Sequence, residues 1–333
     1  MIQIAEFLPP TYSPLWDLVA QCGVRHVVGA LGFETAFDGE PPWSYAPLLR
    51  TKNAYEDRGF TLSVIESRPP LTQAKLGLPG RDVEIDAVCE LIENMGRLGI
   101  EVWCYEWMAV MNWVRTTTTL RSRGGALVTA YDHAQMADAP LTDYGEVSEA
   151  QLWESLHYFL ERVLPVAEAA GVKLAMHPDD PPLSPIRGIG RIMRSVDNFA
   201  RLLELVPSQV NGIALCQGNF TLMTDDLPAV IRRFGDKVFF VHMRDVAGSP
   251  QHFQETFHDA GKSDMVACMR AYRDIGFAGV LRPDHVPTMA GDDNQQAGYS
   301  AIGRLFAIGY LKGIREAVYG NSPGAASPLN QAD

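Results

Sequence analysis

The stretch AEAAGVKLAMHPDD, residues 167–180, decides the fold. A helix-forming run of Ala and Glu reaches Gly171, the residue type that closes helices in a left-handed conformation. A short apolar run, VKLAM, follows at strand length and ends in His177 with the acidic pair Asp179 and Asp180 behind it. The same phrase returns twice, as FGDKVFFVHM (234–243) and DIGFAGVLRPD (274–284). Working outward, strand-length runs stand at 2–7 (IQIAEF), 25–31 (RHVVGAL), 61–67 (TLSVIES), 101–107 (EVWCYEW), 172–177, 210–216 (VNGIALC), 237–243 and 279–284. Amphipathic stretches at 82–99, 148–171, 195–206, 225–235 and 263–276 separate many of them, with Ser195, Asp225 or Asp226, and Ser263 as N-caps. Eight such βα repeats predict a (β/α)8 TIM barrel. A doubly wound sheet is the competing architecture, but no GxGxxG follows the first strand.

No linker divides the chain, so a single barrel domain is expected over 1–320, with a flexible tail at 321–333. The segment 112–147, after strand 4, is too long for a routine connection and shows no clean helical period; it is expected to act as a cap. The Pro- and Gly-rich stretch 68–82, carrying Lys75 and Arg81, follows strand 3.

The 333 residues are 47% hydrophobic and 20% charged, ordinary globular material, and carry a formal charge of -12. That field repels phosphate and argues against nucleic acid or an anionic membrane as partner. No apolar run reaches the roughly 18 to 20 residues that span a bilayer, and MIQIAEFLPP lacks the basic start of a leader, so a cytoplasmic setting is expected. Five cysteines, an odd number without a CxxC pair, argue against a disulfide framework. Homo-oligomerisation is an open expectation.

In a barrel, the C-terminal strand ends converge on one site whatever their separation in sequence. In the second half those ends carry His177, Cys216, His242 and Asp284. Each alone is an ordinary strand-end or packed residue; four in succession are a metal-ligand set. Two imidazoles, a thiolate and a carboxylate suit a divalent transition ion such as Mn2+ or Fe2+, with room for substrate oxygens. Close in sequence stand His285, Asp179, Arg244 and Tyr299, which offer proton transfer and a guanidinium for a carboxylate substrate.

With these residues in view, the chain resembles the manganese-dependent D-mannonate dehydratase family, barrels of the xylose-isomerase-like type. The similar motifs run in order over nearly the whole length: SVIES (63–67), KLGLPGRD (75–82), CYEWM (104–108), NWVRT (112–116), LAMHPDDPP (174–182), GIGRI (188–192), NGIALCQGN (211–219), FVHMRDV (240–246), FQETFHDAGKSDM (253–265), DIGFAGVLRPDH (274–285), and GY followed by YLKG (298–313). The resemblance implies the metal ligands His177, Cys216, His242 and Asp284, the catalytic residues His285 and Tyr299, and the substrate-side residues Arg115, Arg191, Arg244 and His258; Asp179, behind His177, is expected on the substrate side with them. It implies loss of water from an anionic sugar acid, D-mannonate giving 2-keto-3-deoxy-D-gluconate. The departures fall at IAEFLPP, at Gly32 where the family has His, at Asn112 where it has Asp, and at Gln217 where it has a hydroxyl. They leave the ligand set whole and bear on the end of the sugar away from the metal. A metal-dependent isomerase, epimerase or other eliminating lyase, and a sugar-binding metalloprotein without turnover, are the alternative readings.

Overall fold

The protein was analysed as a computed structural model, which describes residues 1–32 and 39–320. The tail at 321–333 lies outside the described residues. Along the chain the strands are β1 (Gln3–Phe7), β2 (His26–Gly29), β3 (Thr61–Ile65), β4 (Val102–Glu106), β5 (Thr117–Arg121), β6 (Leu127–Asp132), β7 (Lys173–His177), β8 (Asn211–Cys216), β9 (Val238–His242), β10 (Val246–Ser249), β11 (His252–Glu255) and β12 (Val280–Arg282). Eight of them close a barrel in the order β1-β12-β9-β8-β7-β4-β3-β2, and every pairing in it is parallel. These are the eight runs expected, each trimmed at one or both ends.

Small and β-branched residues fill the barrel interior, among them Ala5, Val28, Val64, Val102, Ala175, Ala214 and Val280, with Phe239 and Phe240 as bulky exceptions. A larger apolar layer lies between the strands and the surrounding helices, including Ile4, Val27, Leu62, Trp103, Leu174, Ile213, Val241 and Leu281. The two sets alternate along the strands as the period-2 pleat, broken in β9 where Phe239 and Phe240 both join the interior at its register shift against β8, and both faces are buried, as a parallel sheet requires.

The expected helices are present as Arg81–Leu98, Glu149–Ala170, Val196–Leu205, Leu227–Phe234 and Met265–Asp274. Ser195 caps through its side chain, accepting from the Asn198 N–H, and Asp226 does so for Ala229. The third cap is corrected. Asp264, not Ser263, accepts from Ala267 N–H, because the Ser263 hydroxyl is already committed to Asp245 at 2.9 Å. Gly171 closes its helix at φ 68°, ψ 23°, the left-handed geometry expected of it.

The segment 112–147 is more regular than its lack of helical period suggests. It contributes β5 and β6 to a four-stranded antiparallel sheet, order β10-β11-β6-β5, whose other half leaves the barrel after β9. This second sheet is thus built from two excursions far apart in sequence. Its strands escape a search for apolar runs because β5, TTTLR, is Thr-rich and mostly exposed, while β10 and β11 have four residues each.

Candidate active site

His177, Cys216 and His242 are the last residues of β7, β8 and β9, and Asp284 lies two residues beyond β12. These four strands are consecutive around the barrel, so the ligand types form one arc of its mouth. A ring nitrogen of each histidine and the Cys216 Sγ lie within 4.8 Å of one another. Asp284 Oδ2 is 3.8 Å from Cys216 Sγ and 3.6 Å from His242 Nδ1. Burial alone would raise the Asp284 carboxyl, but His285, Arg282, His242 and Arg244 hold it well below the usual carboxylate range.

The cluster fits a metal ion on its own geometry. His242 is 1% exposed, and although Glu66 Oε1 lies 3.1 Å from its Nε2, neither ring nitrogen has an aligned hydrogen-bond partner. Buried polar atoms left in that condition are costly unless a ligand meets them. His177 Nδ1–H donates to the Pro178 carbonyl at 2.7 Å, which leaves its Nε2 lone pair for coordination. Thiolate, imidazole and carboxylate together are the donor set of a borderline transition ion.

Beside this arc, His285 is held at both ring nitrogens. Nδ1 is 2.9 Å from Glu255 Oε1, and Nε2 is 3.0 Å from the Tyr299 hydroxyl. Arg115 Nη2 also approaches Nδ1, at 3.3 Å; the shorter contact to a carboxylate makes Nδ1 the protonated nitrogen and Nε2 the acceptor. The Trp113 ring packs on the imidazole with centroids 5.0 Å apart. Burial, and Asp284 after it, push the Tyr299 hydroxyl well above its ordinary value.

Under this pair lies a buried ionic network. Arg115 reaches Asp180 at 2.6 and 3.0 Å and Glu255 at 2.5 Å. Arg244 reaches Asp284 and Asp180 at 2.8 Å, both Glu255 oxygens at 2.9 Å, and Asn219. Burial would raise both carboxyls, yet the two guanidiniums, with His285 adding to their pull, hold Glu255 at about 2 and Asp180 lower still. The Arg244 guanidinium occupies space that exists because residue 218 is Gly; a Cβ there would overlap it.

A cavity of about 470 Å³ opens on these groups. His177, His242, Asp284, His285 and Tyr299 line it, while Cys216, 0% exposed, sits beneath. The five residues expected on the substrate side lie behind the wall instead. Arg115 and Arg244 are turned into the ionic network. Arg191 donates to the carbonyls of Asp180, Met111 and Asn112, tying the cap to the β7 loop. Asp179 accepts from Met193 N–H, and burial pushes its carboxyl up to about 6; the neighbouring Asp180 is the one in the wall. His258 is fully buried, and burial holds it down at about 4.

Several wall residues belong to strand ends of the first half. Glu66, just past β3, accepts a two-pronged bond from Arg282 at 2.9 and 3.0 Å. Glu106, the last residue of β4, accepts from Lys75, Arg68 and the Met108 N–H. Their strand-end position was a readable signal, the same one that singles out His177. Glu255 had no such mark, because β11 was not foreseen.

A closed parallel barrel of eight strands with its polar groups gathered at the C-terminal mouth is a TIM barrel, with its candidate site where that fold places active sites. Solved structures agree on that fold: a xylose isomerase domain protein from Planctomyces limnophilus aligns over 96% of this chain and 99% of its own, with TM-score 0.62 at 14% identity. The sequence profile of D-mannonate dehydratase (UxuA) matches residues 12–143 and 138–322, and the chain belongs to that family. Mannonate dehydratase 1 of Bacillus licheniformis is 34% identical over 335 residues, 90% of this chain and 91% of its own. Mannonate dehydratase 2 of Halalkalibacterium halodurans is 36% identical over 326 residues, 89% and 93% of the two chains. The mannonate dehydratase structure from Streptococcus suis serotype 2 superposes with TM-score 0.88 at 31% identity, covering 100% of this chain and 99% of that one. Among the described residues no helix is long and apolar enough to cross a membrane.

Proposed function

We propose that the protein is a hydro-lyase that removes water from D-mannonate to give 2-keto-3-deoxy-D-gluconate, with Mn2+ or Fe2+ held by His177, Cys216, His242 and Asp284. The observation that carries this reading is the hydrogen-bonded series Glu255–His285–Tyr299 placed beside the four ligand groups. When bound, the ion supplies electrostatic stabilisation of the negative charge that builds on the substrate carboxylate as the C2 proton leaves.

The chain's own residues perform the proton transfers. Elimination requires a base for the C2 proton and an acid for the C3 hydroxyl, which must depart as water. His285 Nε2 and the Tyr299 hydroxyl, 3.0 Å apart, are those two groups. Glu255 fixes the Nδ1–H tautomer, so that Nε2 is left as an acceptor beside the Tyr299 hydroxyl in the cavity wall. Arg115 and Arg244 keep Glu255 ionised and hold it in place. Trp113 covers the imidazole from the cap side and limits access of water.

The test is incubation of the Mn2+-loaded protein with D-mannonate, with the product followed by NMR. Formation of the 2-keto-3-deoxy acid is expected. Stereochemical inversion or isomerisation of the sugar in place of dehydration would overturn the reading.

A further inference from the structure

The mouth of the barrel is divided. Four neighbouring strands, β7, β8, β9 and β12, carry the ligand arc, and β1 to β4 complete the ring, with β3 directly across it from β9. Three residues past the end of β3, in the cavity wall, stands Arg68. Its Nε donates to Glu106 Oε1 at 2.6 Å. That carboxylate is already engaged: Lys75 Nζ lies 2.7 Å from both its oxygens, and the Met108 N–H donates to Oε2 at 2.6 Å. Two cations therefore share one anion, and Lys75, 1% exposed, is the better placed to be neutralised by it.

Three arginines line the cavity, and their bonding differs. Arg282 is bonded through Nε and Nη2 to Glu66 and lies 3.1 Å from Asp284 through Nη1. Arg304 uses Nε and Nη1 on the carbonyls of Tyr299 and Phe7 and on Glu6. Arg68, with its side chain 30% exposed, has neither Nη1 nor Nη2 bonded to any described residue. A guanidinium edge with two parallel free donors and surplus charge matches a carboxylate or phosphate and is poorly matched by a hydroxymethyl group.

We propose that Arg68 forms an anion subsite for the end of the substrate opposite its reacting carboxylate, so that the preferred substrate is a sugar acid with a second anionic group there. This rests on the dehydratase reading above. The reaction is unchanged: the C2 proton and C3 hydroxyl leave as water, and the second anion takes no part beyond binding.

The experiment compares the Mn2+-loaded wild type, Arg68→Met and Arg68→Lys on D-mannonate, D-mannarate and 6-phospho-D-mannonate. Each kcat/KM is expressed as a ratio to D-mannonate within one preparation, so a partial folding defect cancels. Wild type should favour one dianion by about tenfold to a hundredfold, the range expected of charge-assisted hydrogen bonds. The difference should lie mainly in KM. Arg68→Met should bring the ratio close to one, and Arg68→Lys, which keeps the charge without the paired edge, should fall between. Preference for D-mannarate identifies a carboxylate and preference for the phosphate ester a phosphoryl group. A ratio that Arg68→Met leaves unchanged, or a wild type that prefers D-mannonate, overturns this proposal alone. No turnover of any of the three overturns the dehydratase reading and this proposal with it.

Discussion

The two arcs of the barrel mouth are held in opposite ways. On the β3–β4 side each carboxylate is saturated by cations of the same chain: Glu106 by Lys75 and Arg68, Glu66 by Arg282. On the β7–β8–β9–β12 side only Asp284 of the four ligand groups has cationic partners among the described residues, Arg244 and Arg282, while the Cys216 thiol is buried and the nitrogens of His242 have no aligned hydrogen-bond partner. The carboxylates of the first arc are neutralised from within, leaving the outer edge of Arg68 free among the described residues, and the second arc is shaped for something that arrives. Substitutions of the paired carboxylates in the first arc should therefore act on stability, and substitutions of the donor groups in the second on ligand binding.

The largest effect is expected from Cys216→Ala and His177→Ala, which should lose bound metal and fall to background turnover while the metal-free protein unfolds at nearly the wild-type denaturant concentration. Metal analysis by mass spectrometry checks this, and stoichiometric metal in both variants would break the comparison. His285→Asn should retain metal and lose turnover by about 10²- to 10⁴-fold, the span of general acid–base catalysis. Full activity in that variant would remove His285 from the chemistry.

Glu106→Gln should reverse the pattern. It leaves the buried Lys75 ammonium without its anion, a loss of about 3 kcal/mol in denaturant unfolding at neutral pH. The same pair sharpens the comparison through acid. Glu106 and Glu255, which burial would raise and cations hold down, sit at about 2 against 4.5 for the ordinary carboxyl. Stability from a depressed carboxyl is complete above the unfolded value and disappears as pH falls through the folded one. Denaturation midpoints should therefore decline between about pH 4.5 and 2, and less steeply in Glu106→Gln. A midpoint independent of pH across that window would contradict the pairing.

The barrel and the convergence of His177, Cys216 and His242 at its mouth were legible in the sequence for a single physical reason. Parallel strands buried on both faces read as apolar runs, and the residue that ends each run must face the mouth. His177 and Cys216 end their runs to the residue, and His242 stands one residue before the end of its run at 243. Depth was not legible. Arg115, Arg191 and Arg244 are the residue type that would greet a sugar acid, but long side chains can point either way, and here carboxylates and carbonyls 11 to 140 residues distant draw them inward. The cap strands were hidden because a Thr-rich exposed ribbon carries no apolar run. Glu66 and Glu106 occupied readable strand ends, yet a carboxylate there is compatible with any barrel, and only Arg282, Lys75 and Arg68 arriving from elsewhere make each one specific.

The ion pair between Arg115 and Glu255 joins residues 140 positions apart. During synthesis the guanidinium emerges well before Asp180 exists, and long before β11 can supply Glu255. It must wait in water, since burying it unpaired would be prohibitive. The cap can close over the mouth only after most of the barrel has been made, so no N-terminal half of this chain, however well folded, can be a smaller version of the enzyme.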